Sequence, residues 1–575
     1  MVPAPLVALL LLTGPGVQDG TPLDLPSDQG LDPALVKELG RFEPSQDGWT
    51  SEVLAGSVGE LGRAVGIWMV GQAEAPANLR APLVCSLPGA EMIWKQTGAF
   101  GFARLLLPAD ATGQALQLGR ARDGFKGLLD RGSNLVFEGA KVIEIETAGE
   151  GVSALLSLAW VNRSRTLQAI ARVRLSLVGE PDNLSVLGID LQELQFARHA
   201  GGVPMMADLG VNWIGDQEVR EQLAYSLADL RTTLDARLGV GLLGHHGLAL
   251  GDLDRDGLED IYVCQPGGLP NLLLMRDQNG EFQDRAADLG IDFCDPSRSA
   301  LLLDLDGDGW QDLVLAAGAE LHFFWRRPGG AFVLKSRASA GYLTSLAAAD
   351  FDGDQDLDIF ACGYLSPYQG QQVPLPYHDA KNGAANFLFS NQGGFEFEDV
   401  TQSVGLAADN QRFTFSASFW DFDEDGDQDI LAVNDFGANQ LWRNDGGRFV
   451  DVARALGVED VAAGMGCSLG DVNGDGHEDL FVSNMFSAAG KRIVAQEKFR
   501  QGADSAERQV FLRHAQGNSL FLGQGGAPLI EVPGAGGAQM GRWAWGGVFC
   551  DLDLDGRRDL YVPAGFVTGQ RPDDL

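Results

Sequence analysis

The chain of 575 residues is too long for a single ordinary hydrophobic core, so two or three domains are expected. Its composition, 45% hydrophobic and 21% charged, excludes a wholly disordered protein. The formal net charge of -37 disfavours nucleic acids and anionic membrane surfaces as partners, because both would repel the chain. So many carboxylates in a folded protein require neutralisation, for which divalent cations are the obvious candidates.

Residues 1–20 have the pattern of a secretory signal peptide. An apolar run at residues 6–12 precedes small, turn-forming residues at 13–16, although no Lys or Arg precedes the run. A disordered apolar tail is the alternative interpretation. No later stretch reaches the roughly 18 uninterrupted apolar residues that a membrane-spanning helix needs. The sequence therefore predicts an exported protein, which is secreted, periplasmic or on the cell surface, with no integral membrane segment.

Three further segments precede the C-terminal half. Residues 21–45 are rich in Pro and Asp and are predicted to be a linker. Residues 46–200 are predicted to form a strand-rich α+β domain, whose clearest strand is 170–177, where apolar and polar residues alternate. Residues 201–243 are predicted to be a helical connector, because leucines recur there on one helical face. These leucines are Leu223, Leu227, Leu230, Leu234 and Leu238.

Six acidic loops recur from Gly244 onward, and this internal repeat is the strongest signal in the sequence. Each loop follows a short strand and precedes an apolar strand, and in four repeats a third strand led by Asn comes next. A Gly turn and a last strand close the unit, so each repeat has the four short strands of a propeller blade. The sequence predicts a mainly β protein whose residues 244–575 form a β-propeller of six visible repeats, with six or seven blades.

Each acidic loop spans nine positions, and the loops are numbered 1 to 6 in chain order. Acidic residues occupy positions 1, 3, 5 and 9, with one Asn among them, and five loops have Gly at position 6. Calcium takes about six to eight oxygen ligands, and carboxylates at alternate positions of a tight loop can converge on one ion. The position 7 carbonyl and both oxygens of the position 9 acid would complete the shell. The predicted calcium ligands are Asp252, Asp254, Asp256 and Asp260 in loop 1; Asp304, Asp306, Asp308 and Asp312 in loop 2; Asp350, Asp352, Asp354 and Asp358 in loop 3; Asp421, Asp423, Asp425 and Asp429 in loop 4; Asp471, Asn473, Asp475 and Asp479 in loop 5; and Asp551, Asp553, Asp555 and Asp559 in loop 6.

Position 12 separates this interpretation from the EF-hand, which requires Glu there. The six residues found are apolar and fall in strand-like runs: Val263, Leu315, Ala361, Ala432, Val482 and Val562. A helix–loop–helix site is therefore excluded. Solvated acidic turns are the other alternative. Repulsion among the acids and the recurrence of the loop at six matched places both favour calcium.

The loops, the Asn-led third strands and the Phe-x-Asp-Val endings resemble the FG-GAP repeat, also called the VCBS repeat, of integrin α-chain propellers. Residues 244–575 are similar to bacterial relatives of cartilage acidic protein, whereas the resemblance does not extend to residues 21–200. It implies an exported, calcium-binding propeller. We expect such a propeller to act as a binding, adhesion or structural scaffold. Leu575 falls within the sixth repeat. Either residues near 205–243 complete the ring, or the chain is truncated.

Two repeats carry insertions between their second and third strands, at residues 363–385 and 484–517. This connection of a blade lies on the face opposite the acidic loops, so we expect a protein or glycan ligand to bind there. The alternative is that the insertions cover strands or contact the N-terminal domain. Residues suited to recognition are Tyr364, Tyr368, Tyr377, His378, Asp379, Lys381, Met485, Lys491, Arg492 and Arg500, and Trp543 and Trp545 are candidates for the central channel.

An enzyme with its active site in the propeller channel or on the insertion face is the alternative function. His245, His246 and the segment 376–379 offer side chains for acid–base chemistry, but no recognised nucleophile motif accompanies them. The sequence therefore favours a non-enzymatic scaffold.

Overall fold

The computed structural model describes residues 50–86, 94–97, 100–106, 113–129, 134–148, 151–199, 213–224, 246–364, 374–496, 499, 505–552 and 554–563. The predicted signal peptide, the linker at 21–45 and most of the predicted connector lie outside these residues. The described chain falls into two compact units. The first lies within Met1–Met206 and Ala488–Gly502, and the second lies within Ala207–Ser487 and Ala503–Phe566.

The first unit packs helices against one eight-stranded sheet. Its helices are α1 (Thr50–Met69), α2 (Leu118–Leu129) and a helix at Ala488–Val494, and its strands are β1 (Leu79–Ser86), β2 (Trp94–Thr97), β3 (Phe100–Leu106), β4 (Gln114–Leu116), β5 (Leu135–Ala148), β6 (Gly151–Asn162), β7 (Leu167–Val178) and β8 (Ser185–His199). The sheet has the order β2-β3-β8-β7-β6-β5, and β1 pairs with both β4 and β8. The strand predicted at 170–177 lies within β7, where buried side chains alternate with less buried ones.

The core of the first unit lies between α1, α2 and the sheet. Trp68, Phe125 and Trp160 are almost completely buried within it. The Trp160 indole N–H donates to the carbonyl of Gly66 in α1 at 3.0 Å. A Cβ at Gly66 would lie 2.2 Å from the Phe137 ring, so this glycine allows α1 to approach the sheet closely.

The second unit is built from four-stranded antiparallel sheets that follow one another along the chain. Blade 1 comprises β9 (Leu248–Gly251), β10 (Asp260–Val263), β11 (Leu272–Arg276) and β12 (Phe282–Asp284). Blade 2 comprises β13 (Ser297–Leu303), β14 (Asp312–Ala317), β15 (Glu320–Arg326) and β16 (Phe332–Ser339). Blade 3 comprises β17 (Leu343–Ala349), β18 (Asp358–Gly363), β19 (Phe387–Asn391) and β20 (Phe397–Asp399).

Blade 4 comprises β21 (Phe413–Trp420), β22 (Asp429–Asp435), β23 (Gln440–Asn444) and β24 (Phe449–Asp451), and blade 5 comprises β25 (Gly464–Gly470), β26 (Asp479–Asn484), β27 (Ser519–Leu522) and β28 (Ile530–Glu531). The sixth repeat contributes two strands, β29 (Val548–Cys550) and β30 (Asp559–Tyr561). The described residues thus build five complete blades and two strands of the sixth repeat, and they do not support the expected count of six or seven complete blades. The remaining helices are α3 (Gln217–Ala224), α4 (Ala286–Leu289), α5 (Ala453–Leu456), α6 (Ala488–Val494, the helix of the first unit) and α7 (Ser505–His514).

The blades form a propeller because the first strands of successive blades contact one another. A separate apolar cluster fills each junction between complete blades, so one face of every sheet packs against the next sheet. Each acidic loop joins the first and second strands of its blade. All loops therefore lie at the same end of their sheets.

The Asn residues that lead four third strands have a structural role in the blades. In each case the Asn side-chain oxygen accepts the backbone N–H of a residue near the end of the second strand, at 2.7 to 2.9 Å. Asn271, Asn386, Asn439 and Asn518 are all buried. They fix the connection between these two strands, which the insertions interrupt in blades 3 and 5.

Candidate metal centres

The position 1 carboxylate closes each acidic loop. In all six loops it accepts the backbone N–H of position 6, at 2.7 to 3.1 Å. Positions 4 and 6 both have positive φ in every loop. Glycine adopts this conformation without a Cβ clash, which explains why it dominates position 6. Gln355 occupies position 6 of loop 3 with φ +75, so that loop keeps the common shape despite its unusual residue.

The position 9 carboxylate ties its loop to the blade. Its Oδ2 accepts the backbone N–H of position 2 in all six loops, at 2.9 to 3.1 Å. In the five complete blades its Oδ1 accepts an N–H at the end of the third strand, or just after it in blade 5, at 2.7 to 2.9 Å. The sequence predicts that both oxygens of this acid bind calcium. Each oxygen accepts a backbone N–H, but a carboxylate oxygen has a second lone pair, so position 9 can still offer a ligand.

Four loops bring three carboxylates together closely enough to share an ion. One oxygen from each lies within 4.8 Å of the others in the groups Asp252–Asp254–Asp260, Asp304–Asp306–Asp308, Asp350–Asp352–Asp358 and Asp421–Asp423–Asp425. The fourth predicted acid of each loop lies outside its group. In loop 1 this acid is Asp256, whose oxygens accept the Leu258 N–H and the Gln278 side-chain amide, both at 2.9 Å.

Two carboxylate oxygens in these groups fit a cation better than they fit the protein alone. Asp304 Oδ1 and Asp423 Oδ1 are buried and have no hydrogen-bond partner among the described residues. A buried carboxylate oxygen without a donor is costly, and a bound cation would compensate it. The all-oxygen donor set is the one that calcium prefers over softer metals.

Burial makes the position 9 acids unusual. It raises the pKa of Asp312, Asp358 and Asp429 to about 7, because each carboxyl is desolvated and faces other acids of its loop. Burial also raises the pKa of Asp260 and of Asp479. Without a cation these groups hold protons far more strongly than ordinary aspartates, so calcium and protons would compete for the loops.

Loops 5 and 6 differ from the other four. In loop 5, the Asn473 side chain donates to Asp475 Oδ2 at 2.8 Å, and this loop forms no three-acid group among the residues that the structure describes. In loop 6, Asp553 lies outside the described residues. Asp551 nevertheless accepts the backbone N–H of position 6, and Asp559 accepts that of position 2, as in the other loops.

The residues at position 12 are strand residues, as expected from their apolar character. Val263, Leu315, Ala361, Ala432 and Val482 lie in the second strands of blades 1 to 5, and Val562 directly follows β30. The loops are thus strand–loop–strand elements, which confirms the exclusion of the EF-hand.

The insertion residues mostly make structural contacts. Arg412, which is buried, donates to Asp379 at 2.6 Å and to Asp409 at 2.5 Å, and Lys381 donates to Asp409 at 2.9 Å. The Tyr377 ring lies 5.1 Å from the Phe436 ring. The centroids of the His378 and Phe511 rings are 5.4 Å apart, and the Tyr364 hydroxyl donates to Asp435.

The second insertion makes similar contacts. Met485 forms an isolated β-bridge with Trp543, and the centroids of the Trp543 and Trp545 rings are 6.4 Å apart. These contacts favour a packing role for much of the insertion.

Arg492 is not an exposed recognition residue. Within the first unit it forms a bidentate ion pair with Glu52 at 2.7 and 2.8 Å, and it donates to the carbonyl of Val142 at 2.6 Å. Lys491 lies beside it in α6, whereas Tyr368 and Arg500 fall outside the described residues.

The first of the two histidines considered for acid–base chemistry, His245, also lies outside the described residues. Its neighbour His246 forms a hydrogen bond through Nδ1 with the Ser297 carbonyl oxygen at 2.8 Å. Burial lowers the pKa of His246 to about 4, so this histidine is a poor proton carrier near neutral pH.

Sequence reasoning missed the residue at the end of the third strand. Asn391 donates to the carbonyl of Leu305, and Asn444 donates to that of Phe351, at 3.2 and 2.7 Å. In both cases the acceptor is position 2 of the preceding blade's loop. The signal was available, because these two Asn residues each follow the strand-leading Asn after the same interval.

Comparisons with known proteins agree with this architecture. The FG-GAP-like repeat family matches residues 304–361 and 421–482, which contain loops 2 to 5. The chain is 27% identical to mouse cartilage acidic protein 1 over 386 residues, which are 56% of this chain and 57% of the relative. It is 26% identical to the human protein over 386 residues, 56% of each chain. The chain thus spans little more than half the length of these relatives.

A structure of an Agrocybe aegerita lectin, described as recognising non-reducing terminal N-acetylglucosamine, aligns with 77% of this chain and 89% of its own. Its identity of 14% and TM-score of 0.29 are too low to carry an argument. No described helix is long and apolar enough to cross a membrane. On the family match and the two mammalian relatives, the chain carries FG-GAP-like repeats in a β-propeller arrangement and is homologous to cartilage acidic protein 1.

Proposed function

We propose that the chain is an exported, calcium-stabilised propeller that acts as a binding, adhesion or structural scaffold. The observation that carries the calcium proposal is the convergence of three acids in each of loops 1 to 4, with buried unpartnered oxygens in two of them. Calcium would neutralise the mutual repulsion of these acids and join the ends of strands that the loops connect. A site at ten times its Kd in calcium gains about 1.4 kcal/mol.

The calcium proposal is tested by titrating the full chain, freed of metal, with calcium in a calorimeter. Asp352→Asn should remove one binding event, because Asp352 belongs to the three-acid group of loop 3. Asp356→Asn is the matched control, since it removes the same charge from position 7 of that loop, outside the group. Absence of any heat of binding from the unaltered chain would refute calcium binding.

Export is proposed from the apolar run at residues 6–12 and from calcium, which is more plentiful outside the cytosol. Fusing residues 1–30 to a reporter that is active only after secretion tests it. Secretion should be lost when Leu9 and Leu10 are both changed to Arg. A reporter that stays inside the cell with the unaltered segment contradicts the proposal.

A protein or glycan ligand is proposed for the face of the propeller opposite the acidic loops. Leu375 is 71% exposed there and Tyr377 is 37% exposed, beside the ion pairs of Asp379. An exposed aliphatic and aromatic pair suits recognition better than it suits solvent. Binding of the full chain to glycan arrays and to extracellular-matrix proteins should fall when Tyr377→Ala and Leu375→Ser are combined. Unchanged binding by that variant would exclude this face.

We also infer that the ring closes with six blades. On blade 1, Leu248 and Leu250 are 63% and 62% exposed, whereas the residues in register with them in blades 2 to 5 are buried or half-buried by a neighbouring blade. At two junctions the position 4 side chain contacts position 7 of the next loop: Arg255 lies over the Trp310 ring at 4.2 Å, and Glu424 pairs with His477 at 2.5 Å.

Position 4 of loop 6 is Leu554, an 88% exposed leucine with φ +58. Position 7 of loop 1 is Leu258, so a six-bladed ring pairs two apolar residues at this junction. The double variant Leu258→Cys, Leu554→Cys should form an intramolecular disulfide under mild oxidation. The double variant Leu554→Cys, Tyr342→Cys is the control, because Tyr342 is exposed at a distant site. Disulfides only between molecules would indicate association of two open rings instead.

A further inference from the structure

In blades 2, 3 and 4 the residue at the end of the third strand reaches the acidic loop of the preceding blade, and its charge differs among these blades. In blades 3 and 4 this residue is a neutral amide, Asn391 or Asn444, which donates to the position 2 carbonyl of loop 2 or loop 3. In blade 5 it is Gly523, and the backbone N–H of Gly526 donates to the loop 4 carbonyl at 3.0 Å instead. Blade 2 has Arg326 at this place.

Arg326 makes the same contact as the two amides but brings a positive charge to it. Its Nη1 donates to the carbonyl of Leu253, position 2 of loop 1, and its own backbone N–H donates to Asp312 at 2.7 Å. The residue is only 3% exposed. Its guanidinium lies over two aromatic rings, 5.4 Å from the Trp310 centroid and 5.5 Å from the Phe332 centroid.

The guanidinium acts electrostatically on loop 1. Burial lowers the pKa of Arg326 from its usual value, and the charges of Asp260 and Asp254 oppose that shift. Smaller contributions come from the charge of Arg255, which lowers the pKa, and that of Asp312, which raises it. An arginine side chain stays protonated under such conditions, so it is a fixed positive charge beside the acids of loop 1. Arg255, at position 4 of loop 1, also places a guanidinium over the Trp310 ring, 4.2 Å from its centroid.

We propose that Arg326 is an internal counter-ion of loop 1, and that this loop therefore binds calcium more weakly, and depends on it less for its shape, than loops 2 and 3. The guanidinium offsets part of the repulsion among Asp252, Asp254 and Asp260. It also repels an incoming divalent cation. Loops 2 and 3, whose neighbours are Asn391 and Asn444, lack such a charge in that position and need the metal. The inference rests on the proposed calcium binding of the loops.

Calorimetric titration of the full chain with calcium tests the inference through two reciprocal variants. Arg326→Asn copies blades 3 and 4, keeps a donor for Leu253, and should strengthen binding at the weak site by about tenfold. Asn444→Arg places a guanidinium beside loop 3 and should weaken one site by a similar factor. Arg326→Lys keeps the charge and should leave the weak site weak, which separates charge from packing.

Hydrogen exchange supplies a readout that does not depend on affinity. In the calcium-free chain, the backbone amides of loop 1 should exchange more slowly than those of loop 3, and calcium should slow exchange in loop 1 less. Arg326→Asn should abolish this difference. Correctly folded Arg326→Asn with unchanged or weaker calcium binding at every site would overturn the inference. Absence of calcium binding by the unaltered chain would overturn the proposed function, and the inference with it.

Discussion

Asn444, at the end of the third strand of blade 4, donates its side-chain N–H to the carbonyl of Phe351 in loop 3 at 2.7 Å. The acceptor residue donates its own N–H to Asp358, position 9 of the same loop, at 3.1 Å. Position 2 of the loop is therefore held from both sides, by its own blade and by the next one. The acidic loops are joints between blades, so metal binding there would affect the whole ring.

The first prediction concerns this joint. Asn444→Ala should lower the free energy of unfolding by about 1–3 kcal/mol, because it leaves the buried Phe351 carbonyl without its donor. Thermal or denaturant unfolding of the full chain measures the change. Asn279→Ala, in an exposed turn, is the matched control and should change the stability by less than about 0.5 kcal/mol. Equal effects of the two variants would contradict the role of Asn444.

The second prediction concerns the left-handed residue of loop 3. Gln355→Gly should stabilise the chain by about 0.5–1 kcal/mol, because the relief of strain at φ +75 exceeds the entropy that glycine adds to the unfolded chain. The reverse change at the same position of loop 4, Gly426→Gln, should destabilise by a similar amount. Denaturant unfolding in the presence of EDTA separates these backbone effects from any effect on metal binding. A destabilising Gln355→Gly would show that the side chain itself matters.

The third prediction concerns pH and metal together. Asp312, Asp358 and Asp429 have pKa values raised to about 7 from an ordinary value of 3.8. In the metal-free chain, their stabilising contribution is complete below pH 3.8 and is lost as the pH rises through about 7. Calcium binds the ionised carboxylates, so the stabilisation that it adds should grow over the same range.

The melting temperature in calcium, minus that in EDTA, is the quantity to follow. It should increase steadily with pH over this range. Two histidines, the half-buried His246 and the buried His514, have pKa values lowered to about 4, so their contribution is lost as the pH falls below 6.5. Because they act with and without calcium, they cancel in the difference. A difference independent of pH would contradict the involvement of these acids.

The fourth prediction concerns a buried acid far from the loops in its blade. Asp435 is buried at the end of β22, where Tyr364 donates to its Oδ2 at 3.0 Å, and burial raises its pKa to about 7. Tyr364→Phe should lower the free energy of unfolding by about 1–3 kcal/mol, because it removes a donor from this acid. The loss should be larger above pH 7 than below it, since the ionised carboxylate depends more on the donor.

The control for this prediction is Tyr342→Phe, since Tyr342 is 58% exposed. Unfolding of both variants at two pH values, one on either side of 7, makes the comparison. Phenylalanine keeps the ring contacts of Tyr364 with Phe413 and Phe415, so the variant removes only the hydroxyl. A loss for Tyr364→Phe that does not change with pH would contradict the dependence of the ionised Asp435 carboxylate on this hydrogen bond.

The sequence alone determined the repeat and the blade. Spacing within the nine-position loop is local, because each acid needs only the turn geometry of its own loop, which Gly at position 6 signals. The alternation of apolar residues and the Asn-led strands are local in the same sense. For this reason the loop acids, the strand order within a blade and the exclusion of the EF-hand followed from the residues.

Only the tertiary structure decided how the blades are joined and what each acid does. The position 9 acids bind backbone amides on two strands, and this depends on how the third strand returns to the loop. Arg326 acts on loop 1, although 66 to 74 residues separate it from the acids there, because blade 2 packs its third strand against the preceding loop. The insertion residue Arg492 pairs with Glu52, which no local pattern links to it. Contacts between blades and between distant segments arise from packing. The residues that make these contacts follow no periodic pattern in the sequence, so the sequence alone does not reveal them.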